Sequence, residues 1–275
     1  MVMSVQAGTT HETDPAGLRA VLADPRRKVA LDGVHNFRDL GGYPAFGGTT
    51  RWGLVYRADG LQRLTSDDVN VLRDRGLGAV IDLRTDIELS ERGRFPLDQH
   101  AVQFHHLPIL DRTWVAGSIP DFDNAHDFLM WAYQDMIRVG SANLAAGLRV
   151  IAATDSTLVF HCAAGKDRTG ILAALLLATL GVPDDYIAAD YAKTEEGMQL
   201  MLESWRKAAE DNPPPDPSKL SMPPAFYLSS PPAVMHEFLD HLAAEHGSAL
   251  QFVRSLGITD DEIDALRTKL IEPAA

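Results

Sequence analysis

The part of the sequence that most constrains the fold is an apolar run, a polar loop and a second apolar run that follow one another without a break. Residues 157–160 read TLVF, residues 161–170 read HCAAGKDRTG, and residues 171–181 read ILAALLLATLG. The first run is typical of a buried strand and the last of a buried helix. A strand, a tight glycine loop and a helix in this order gather backbone N–H groups at the helix N-terminus. The segment therefore predicts an anion-binding loop.

Four short apolar runs bounded by turn residues predict strands. They are WGLVYR (52–57), GAVIDLR (78–84), VQFHHLP (102–108) and STLVFH (156–161). Helical patterns lie between them, such as the one that begins with an N-cap at Thr65 and stops at Gly76. The expected fold class is α/β: a central, mostly parallel sheet of four or five strands, flanked by helices on both faces and followed by a helical C-terminal half.

The chain is expected to form one domain, residues 1–275, of which residues 1–27 are an N-terminal extension. Residues 212–232 hold eight of the 16 prolines, so they cannot continue a helix. One interpretation is a surface linker. The other, favoured by the bulky Phe226, Tyr227 and Leu228, is a cover over a site, and residues from about 195 to 232 are therefore a candidate lid or insert.

Charge and cysteine content exclude several classes of protein. A net charge of −13, from 25 basic and 38 acidic residues, opposes non-specific nucleic-acid binding, so no nucleic-acid partner is expected. No basic leader with an apolar core opens the chain, and the apolar run at 170–182 is too short to span a bilayer, so no integral membrane association is expected. The single cysteine, Cys162, excludes an intrachain disulfide and indicates the cytoplasm, with export without a signal peptide left open. The oligomeric state is not indicated.

Cys162 and Arg168 give the loop its chemistry. The spacing places a thiol at the start of the loop and a guanidinium at its end, so both can face one bound oxyanion. A helix N-terminus and a neighbouring arginine favour the thiolate, which is a nucleophile at neutral pH. The planar fork of Arg168 can bind two oxygens of a phosphoryl group, which a lysine cannot do.

The loop matches the His-Cys-x5-Arg-Thr/Ser-Gly signature, and the chain thus resembles the protein tyrosine phosphatase superfamily. Further segments resemble the atypical bacterial tyrosine and phosphoinositide phosphatase family within it, and together they cover about residues 28 to 270. These segments are LDGVHNFRDLGGY (31–43), VYRADGLQRLT (55–65), VIDLRTDIELSERG (80–93) and HGSALQFVRSLGITDDEIDALRTKL (246–270).

The resemblance implies a role for each loop residue. Cys162 attacks phosphorus to form a phosphocysteine, Thr169 donates its hydroxyl to the sulfur during hydrolysis, and His161 braces the loop. No metal and no cofactor is implied. The residues expected to bind the phosphate oxygens are Ala163, Ala164, Gly165, Lys166, Asp167 and Arg168.

The general acid is less explicit in the sequence. The family takes this proton from an aspartate outside the loop, and Asp111, just after a predicted strand, is the first candidate. The Trp-Pro-Asp motif of the larger tyrosine phosphatases is absent. Asp167, inside the loop, is the rival, because it could reach the leaving oxygen or the attacking water.

The expected substrate is protein phosphotyrosine, with inorganic phosphate as the product. Lys166 adds positive potential and resembles the loops of phosphoinositide phosphatases, so phosphoserine, phosphothreonine and phosphoinositides are further candidate substrates. Equally, Lys166 and Asp167 could neutralise each other and fix the loop. The alternative function is a catalytically weak module that binds phosphorylated ligands.

Two arginines outside the loop have more than one interpretation. Arg84, at the carboxyl end of a predicted central strand, could support the loop or the phosphate, or form a salt bridge with Asp82 or Glu88. Arg38 is expected to be structural rather than part of the pocket. His105 and His106 are adjacent on a strand and so face opposite sides, which argues against a shared metal ion.

Overall fold

The central sheet has five strands, in the order β1-β4-β7-β5-β6. The computed structural model describes residues 14–111, 120–122, 124–211 and 229–274. β4, β7, β5 and β6 run parallel to one another, and only β1 is antiparallel, to β4. The predicted α/β class and mostly parallel sheet are confirmed. The strands of this sheet are β1 (Arg38–Asp39), β4 (Val55–Ala58), β5 (Leu77–Asp82), β6 (Gln103–His106) and β7 (Thr157–His161).

A second, antiparallel sheet joins the chain's late residues to its early ones. It consists of β2 (Pro44–Ala45), β3 (Gly48–Thr50) and β8 (Ile271–Pro273), with β3 in the middle. The sequence analysis did not predict it, because strands of two or three residues are too short to show an alternating pattern.

Helices cover both faces of the central sheet. A capping box between Thr65 and Asp68 begins α2, as the sequence predicted. The helices are α1 (Pro15–Leu22), α2 (Ser66–Asp74), α3 (Asp86–Arg92), α4 (Ala125–Val139), α5 (Ser141–Ala153), α6 (Asp167–Thr179), α7 (Asp184–Ala192), α8 (Thr194–Asp211), α9 (Pro232–His246), α10 (Ala249–Ser255) and α11 (Asp260–Leu270), with a 3-10 turn at Leu61–Arg63.

The central strand β7 supplies side chains to both faces of the sheet. Leu158 and Phe160 lie in the larger apolar cluster, which includes residues of α4, α5 and α6. Val159, between them, lies in the smaller cluster on the side of α2. Every residue of β7 is buried. The alternation of side chains along a strand thus fixes the end of β7 between two packed layers, where the loop that follows has little freedom to move.

Two of the predicted peripheral segments are described in part. Helix α1 lies within the predicted extension, and its Leu18, Val21 and Leu22 pack against the larger cluster. Helix α8 occupies the first part of the candidate lid, whereas residues 212–228, with Phe226, Tyr227 and Leu228, lie outside the described residues. The lid therefore stays a prediction.

Within the described ranges, no single helix is long and apolar enough to cross a membrane; α4 and α5 reach that level only as a pair bent by 74°.

Candidate active site

The loop between β7 and α6 has the predicted local structure. β7 ends at His161 and α6 begins at Asp167, and we call residues 161–168 the phosphate loop. Gly165 has a φ of +68°, and a Cβ atom there would lie 2.5 Å from the carbonyl oxygen of Ala58. A glycine is therefore required at this turn, both for its backbone angle and for the close approach of β4.

In the phosphate loop, the carbonyl oxygens of residues 163–166 accept hydrogen bonds, whereas three successive N–H groups donate none to the described residues. Among the described residues, the N–H groups of Ala163, Ala164 and Gly165 donate to no acceptor. Successive N–H groups without internal partners form an anion-binding concavity. The oxygens of residues 163–166 accept, in order, from Gly60 N–H, from Asn36 Nδ2, from Arg57 Nη2 and from Gly170 N–H.

Cys162 and Arg168 lie close enough to interact. Cys162 is 2% exposed, at the start of the loop. Burial of the guanidinium acts to lower the pKa of Arg168, but the negative charges of Cys162 and Glu88 outweigh it and raise that pKa above its usual range. This electrostatic effect favours the pairing of a Cys162 thiolate with the Arg168 guanidinium, which stays a prediction.

Glu88, at the start of α3, binds the guanidinium of Arg168 through both carboxylate oxygens. The distances are 2.5 Å from Nη1 to Oε2 and 3.0 Å from Nη2 to Oε1. Glu88 is itself held by a capping box with Thr85. Burial acts to raise the pKa of Glu88, but its bonds with Arg168 and Thr85 prevail and lower it to about 2. The sequence analysis considered Glu88 only as a partner of Arg84 and missed this contact.

Arg84 forms an ion pair with Asp82, the other of the two partners expected from the sequence. Its Nη2 lies 2.6 Å from Asp82 Oδ2, and both side chains are fully buried. Asp82 Oδ2 also lies 3.5 Å from Nε2 of His161. The Nδ1 atom of His161 is 3.1 Å from the carbonyl oxygen of Cys162. Burial is the main cause that lowers the pKa of His161, which favours the neutral ring. The structure thus brings Arg84, Asp82 and His161 together beneath the phosphate loop.

Thr169 is fully buried in the first turn of α6. Its Oγ1 has no hydrogen-bond partner in the described part of the chain. A buried hydroxyl without a partner is uncommon, and this one follows Arg168 directly.

The two candidate acids differ in their surroundings. Asp167 Oδ1 accepts a hydrogen bond from the hydroxyl of Tyr133 at 2.9 Å, and Lys166 Nζ lies 3.8 Å from the same oxygen. Lys166 is only 2% exposed, which favours its pairing with Asp167 over a role at the mouth of the pocket. Asp111 is exposed, after β6, and forms no hydrogen bond or ion pair with any described residue.

Several side chains of the site could not be identified from the sequence, because they reach the site from distant segments of the chain. Tyr133 comes from α4, Asn36 precedes β1 and Arg57 belongs to β4. The segments NFRDLGGY and VYRADG were recognised as family-like, and this was the available signal for Asn36 and Arg57. Arg38 is buried and pairs with Asp190, which agrees with its expected structural role.

Within the part of the chain that the structure describes, no group of three or more His, Cys, Asp and Glu side chains is placed to hold an ion. His106 Nε2 instead lies 2.8 Å from the carbonyl oxygen of Arg84.

Comparisons with known proteins identify the family. The profile of the tyrosine phosphatase family matches residues 29–272. A Cupriavidus necator protein named as a tyrosine-protein phosphatase is 34% identical over 199 residues, which are 68% of this chain and 70% of that protein. The triple specificity protein phosphatase PtpB of Mycobacterium tuberculosis is 28% identical over 194 residues, which are 61% of this chain and 69% of PtpB.

Solved structures also match, at a lower level. TpbA of P. aeruginosa, in complex with phosphotyrosine, is 17% identical, with a TM-score of 0.36 over 62% of this chain and 79% of its own. The family assignment depends instead on the profile, which spans nearly the whole chain and includes every residue of the phosphate loop. This chain belongs to the tyrosine phosphatase family.

Proposed function

We propose that this chain is a cysteine-dependent phosphomonoesterase that hydrolyses phosphotyrosine in proteins through a phosphocysteine intermediate. The observation that carries this proposal is the phosphate loop. The N–H groups of Ala163, Ala164 and Gly165 donate to no acceptor among the described residues, and Cys162 and Arg168 lie near the two ends of the loop. The names of the relatives from Cupriavidus necator and Mycobacterium tuberculosis support a phosphatase activity.

The first step forms a bond from the Cys162 sulfur to phosphorus and breaks the bond from phosphorus to the leaving oxygen. The fork of Arg168 and the loop N–H groups bind the equatorial oxygens, whose negative charge grows in the transition state. Glu88 keeps that fork oriented before the substrate arrives. The leaving oxygen takes a proton from an aspartic acid.

The second step releases phosphate. A water molecule attacks phosphorus while the deprotonated aspartate takes its proton, and the bond from sulfur to phosphorus breaks. The buried hydroxyl of Thr169 can donate to the departing sulfur, because it has no partner among the described residues. The products are inorganic phosphate and the regenerated thiolate.

Either Asp167 or Asp111 fills the acid role. Asp167 is favoured by its place in the loop and by the bond from Tyr133, which fixes its carboxylate. Asp111 is favoured by the family resemblance and by its place near the carboxyl edge of the sheet, after β6. Its exposed side chain precedes residues 112–119, which are outside the described ranges.

Phosphoserine, phosphothreonine and phosphoinositides are proposed as further substrates. The name of PtpB, triple specificity protein phosphatase, supports a broad specificity. Lys166 supports lipid substrates less than its place in the sequence suggests, because its side chain is buried beside Asp167 rather than exposed.

The test measures hydrolysis of p-nitrophenyl phosphate, a phosphotyrosine peptide and phosphatidylinositol phosphates without added metal. The proteins compared are wild type, Cys162→Ser, Asp111→Asn and Asp167→Asn. We expect Cys162→Ser to lose all turnover. The aspartate variant that fails selectively on poor leaving groups identifies the acid. A wild-type protein that binds phosphate without turnover would instead be a binding module for phosphorylated ligands.

A further inference from the structure

Two side chains from outside the phosphate loop hold its carbonyl oxygens. Asn36 Nδ2 donates to the oxygen of Ala164 at 3.0 Å and lies 3.3 Å from that of Gly165. Arg57 Nη2 donates to the oxygen of Gly165 at 2.8 Å. Asn36 is 128 residues from Ala164, and Arg57 is 108 residues from Gly165, so these contacts depend on the tertiary fold.

Asp190 of α7 fixes both donors. Its carboxylate accepts from Arg57 Nη1 at 2.5 Å and from Arg38 Nε at 2.9 Å. Arg38 also donates to Oδ1 of Asn36, which leaves Nδ2 to face the loop. Burial acts to raise the pKa of Asp190, but the two guanidinium groups outweigh it and lower that pKa, so the carboxylate is charged.

Asn36 has little room to adopt another position. A Cβ atom at Gly165 would lie 2.8 Å from Asn36 Nδ2, and one at Gly197 would lie 2.8 Å from Asn36 Cβ. Heavy atoms do not approach a Cβ atom so closely, so the side chain fits only because both neighbours are glycines. Gly197 belongs to α8, so this helix packs against Asn36, one of the two side chains that hold the loop.

These contacts determine where the loop N–H groups point. In a trans peptide unit, the carbonyl of one residue and the N–H of the next lie on opposite sides. Holding the oxygens of Ala164 and Gly165 behind the loop therefore turns the N–H groups of Gly165 and Lys166 toward its front. A charged donor on a carbonyl also polarises the peptide unit and strengthens its N–H as a donor.

We propose that Asn36 and Arg57 are positioning residues, which hold the loop carbonyls so that the loop N–H groups converge on the phosphoryl group. This inference rests on the proposed function, because it assigns these residues to the same site. In this proposal, neither Asn36 nor Arg57 touches the substrate. Their effect passes through the peptide units from Ala164 to Lys166.

The test measures the affinity of the full chain for tungstate, a tetrahedral oxyanion, by calorimetry, and kcat with p-nitrophenyl phosphate. Asn36→Ala removes one donor, and Arg57→Lys keeps the charge but cannot bind Asp190 and the loop together. We expect each variant to bind tungstate about tenfold more weakly and to lose at least tenfold in kcat, the scale of one lost hydrogen bond.

Tyr43→Phe is the matched control. The hydroxyl of Tyr43 donates to Asp190 Oδ1 at 2.9 Å and forms no hydrogen bond with the phosphate loop among the described residues. This variant should lower the melting temperature while tungstate affinity and kcat stay within about twofold of wild type. Gly197→Ala is the second test, because the three heavy atoms nearest to the new methyl group all belong to Asn36. Alanine favours a helix, so weaker tungstate binding by Gly197→Ala would come from the displaced Asn36.

The proposal is overturned if Asn36→Ala and Arg57→Lys bind tungstate as wild type does and lose only thermal stability, as Tyr43→Phe does. If neither variant folds, unchanged tungstate binding by Gly197→Ala overturns it. Tungstate binding requires no turnover. A wild-type protein without phosphatase activity would therefore refute the proposed function, while the ratios of tungstate affinity would still decide the positioning role.

Discussion

Glu88 binds both terminal nitrogens of Arg168, at 2.5 and 3.0 Å, and so orients the guanidinium on which phosphate binding depends. The contact joins the first turn of α3 to the first turn of α6, two helices that follow neighbouring parallel strands. Charge-assisted, two-pronged bonds of this kind are stronger than ordinary hydrogen bonds and fix the plane of the fork.

Replacing Glu88 by Gln should reduce kcat/KM for p-nitrophenyl phosphate by roughly ten- to a hundredfold, because the fork of Arg168 loses its charged partner. Glu91→Gln is the matched control, since Glu91 is an exposed residue of the same helix. Steady-state kinetics check the expectation. Equal rates for the two variants would show that Glu88 does not orient Arg168.

The contact between Glu88 and Arg168 also predicts that the stability of the fold depends on pH. Folding lowers the pKa of Glu88 from 4.5 to about 2, so the stabilisation is complete above pH 4.5 and is lost as the pH falls toward 2. The free energy of unfolding should therefore fall over this range by on the order of 3 kcal/mol more in wild type than in Glu88→Gln. Urea denaturation at several pH values measures the difference, and parallel curves would contradict it.

Gly165→Ala should abolish most of the activity. The substitution combines a φ of +68° with a Cβ atom 2.5 Å from the carbonyl oxygen of Ala58, so the loop must move. We expect a loss in kcat of more than about a hundredfold, of the size seen when an oxyanion donor is removed.

Gly47→Ala is the control for backbone strain. Gly47 has a φ of +67° but no heavy atom within 4 Å of its Cβ position. It should lose about 1 kcal/mol of stability without a change in kcat. Comparable kcat values for the two alanine variants would show that the close approach to Ala58 does not shape the loop.

Tyr133→Phe tests whether the carboxylate of Asp167 must be held in place. The hydroxyl of Tyr133 bonds Asp167 Oδ1 at 2.9 Å and the hydroxyl of Tyr191 at 2.7 Å. If Asp167 is the acid, kcat should fall several-fold on phenyl phosphate, a poor leaving group, and much less on p-nitrophenyl phosphate. Tyr186→Phe is the control, because that hydroxyl has no hydrogen-bond partner among the described residues. An equal loss on both substrates would exclude this role.

The local structure of the site could be predicted from the sequence. A buried strand, a glycine turn and a buried helix are encoded in residues 157–181, and the positions of Cys162 and Arg168 follow from their spacing within that segment. The parallel sheet could also be predicted from the sequence, because each of its longer strands is a continuous apolar run. The second sheet did not, since its strands are too short to carry a pattern.

The partners of the loop were decided by the tertiary structure. Three aspartates occur in α7, and only the packing of that helix determines that Asp190 is the one buried between Arg38 and Arg57. Likewise, Glu88 and Glu91 lie three residues apart in α3, and the packing of that helix determines that Glu88 is the one that binds Arg168. The sequence by itself determined the reacting groups, because a strand, a turn and a helix form from neighbouring residues. The fold decided what holds them, because those contacts join segments about 80 to 130 residues apart.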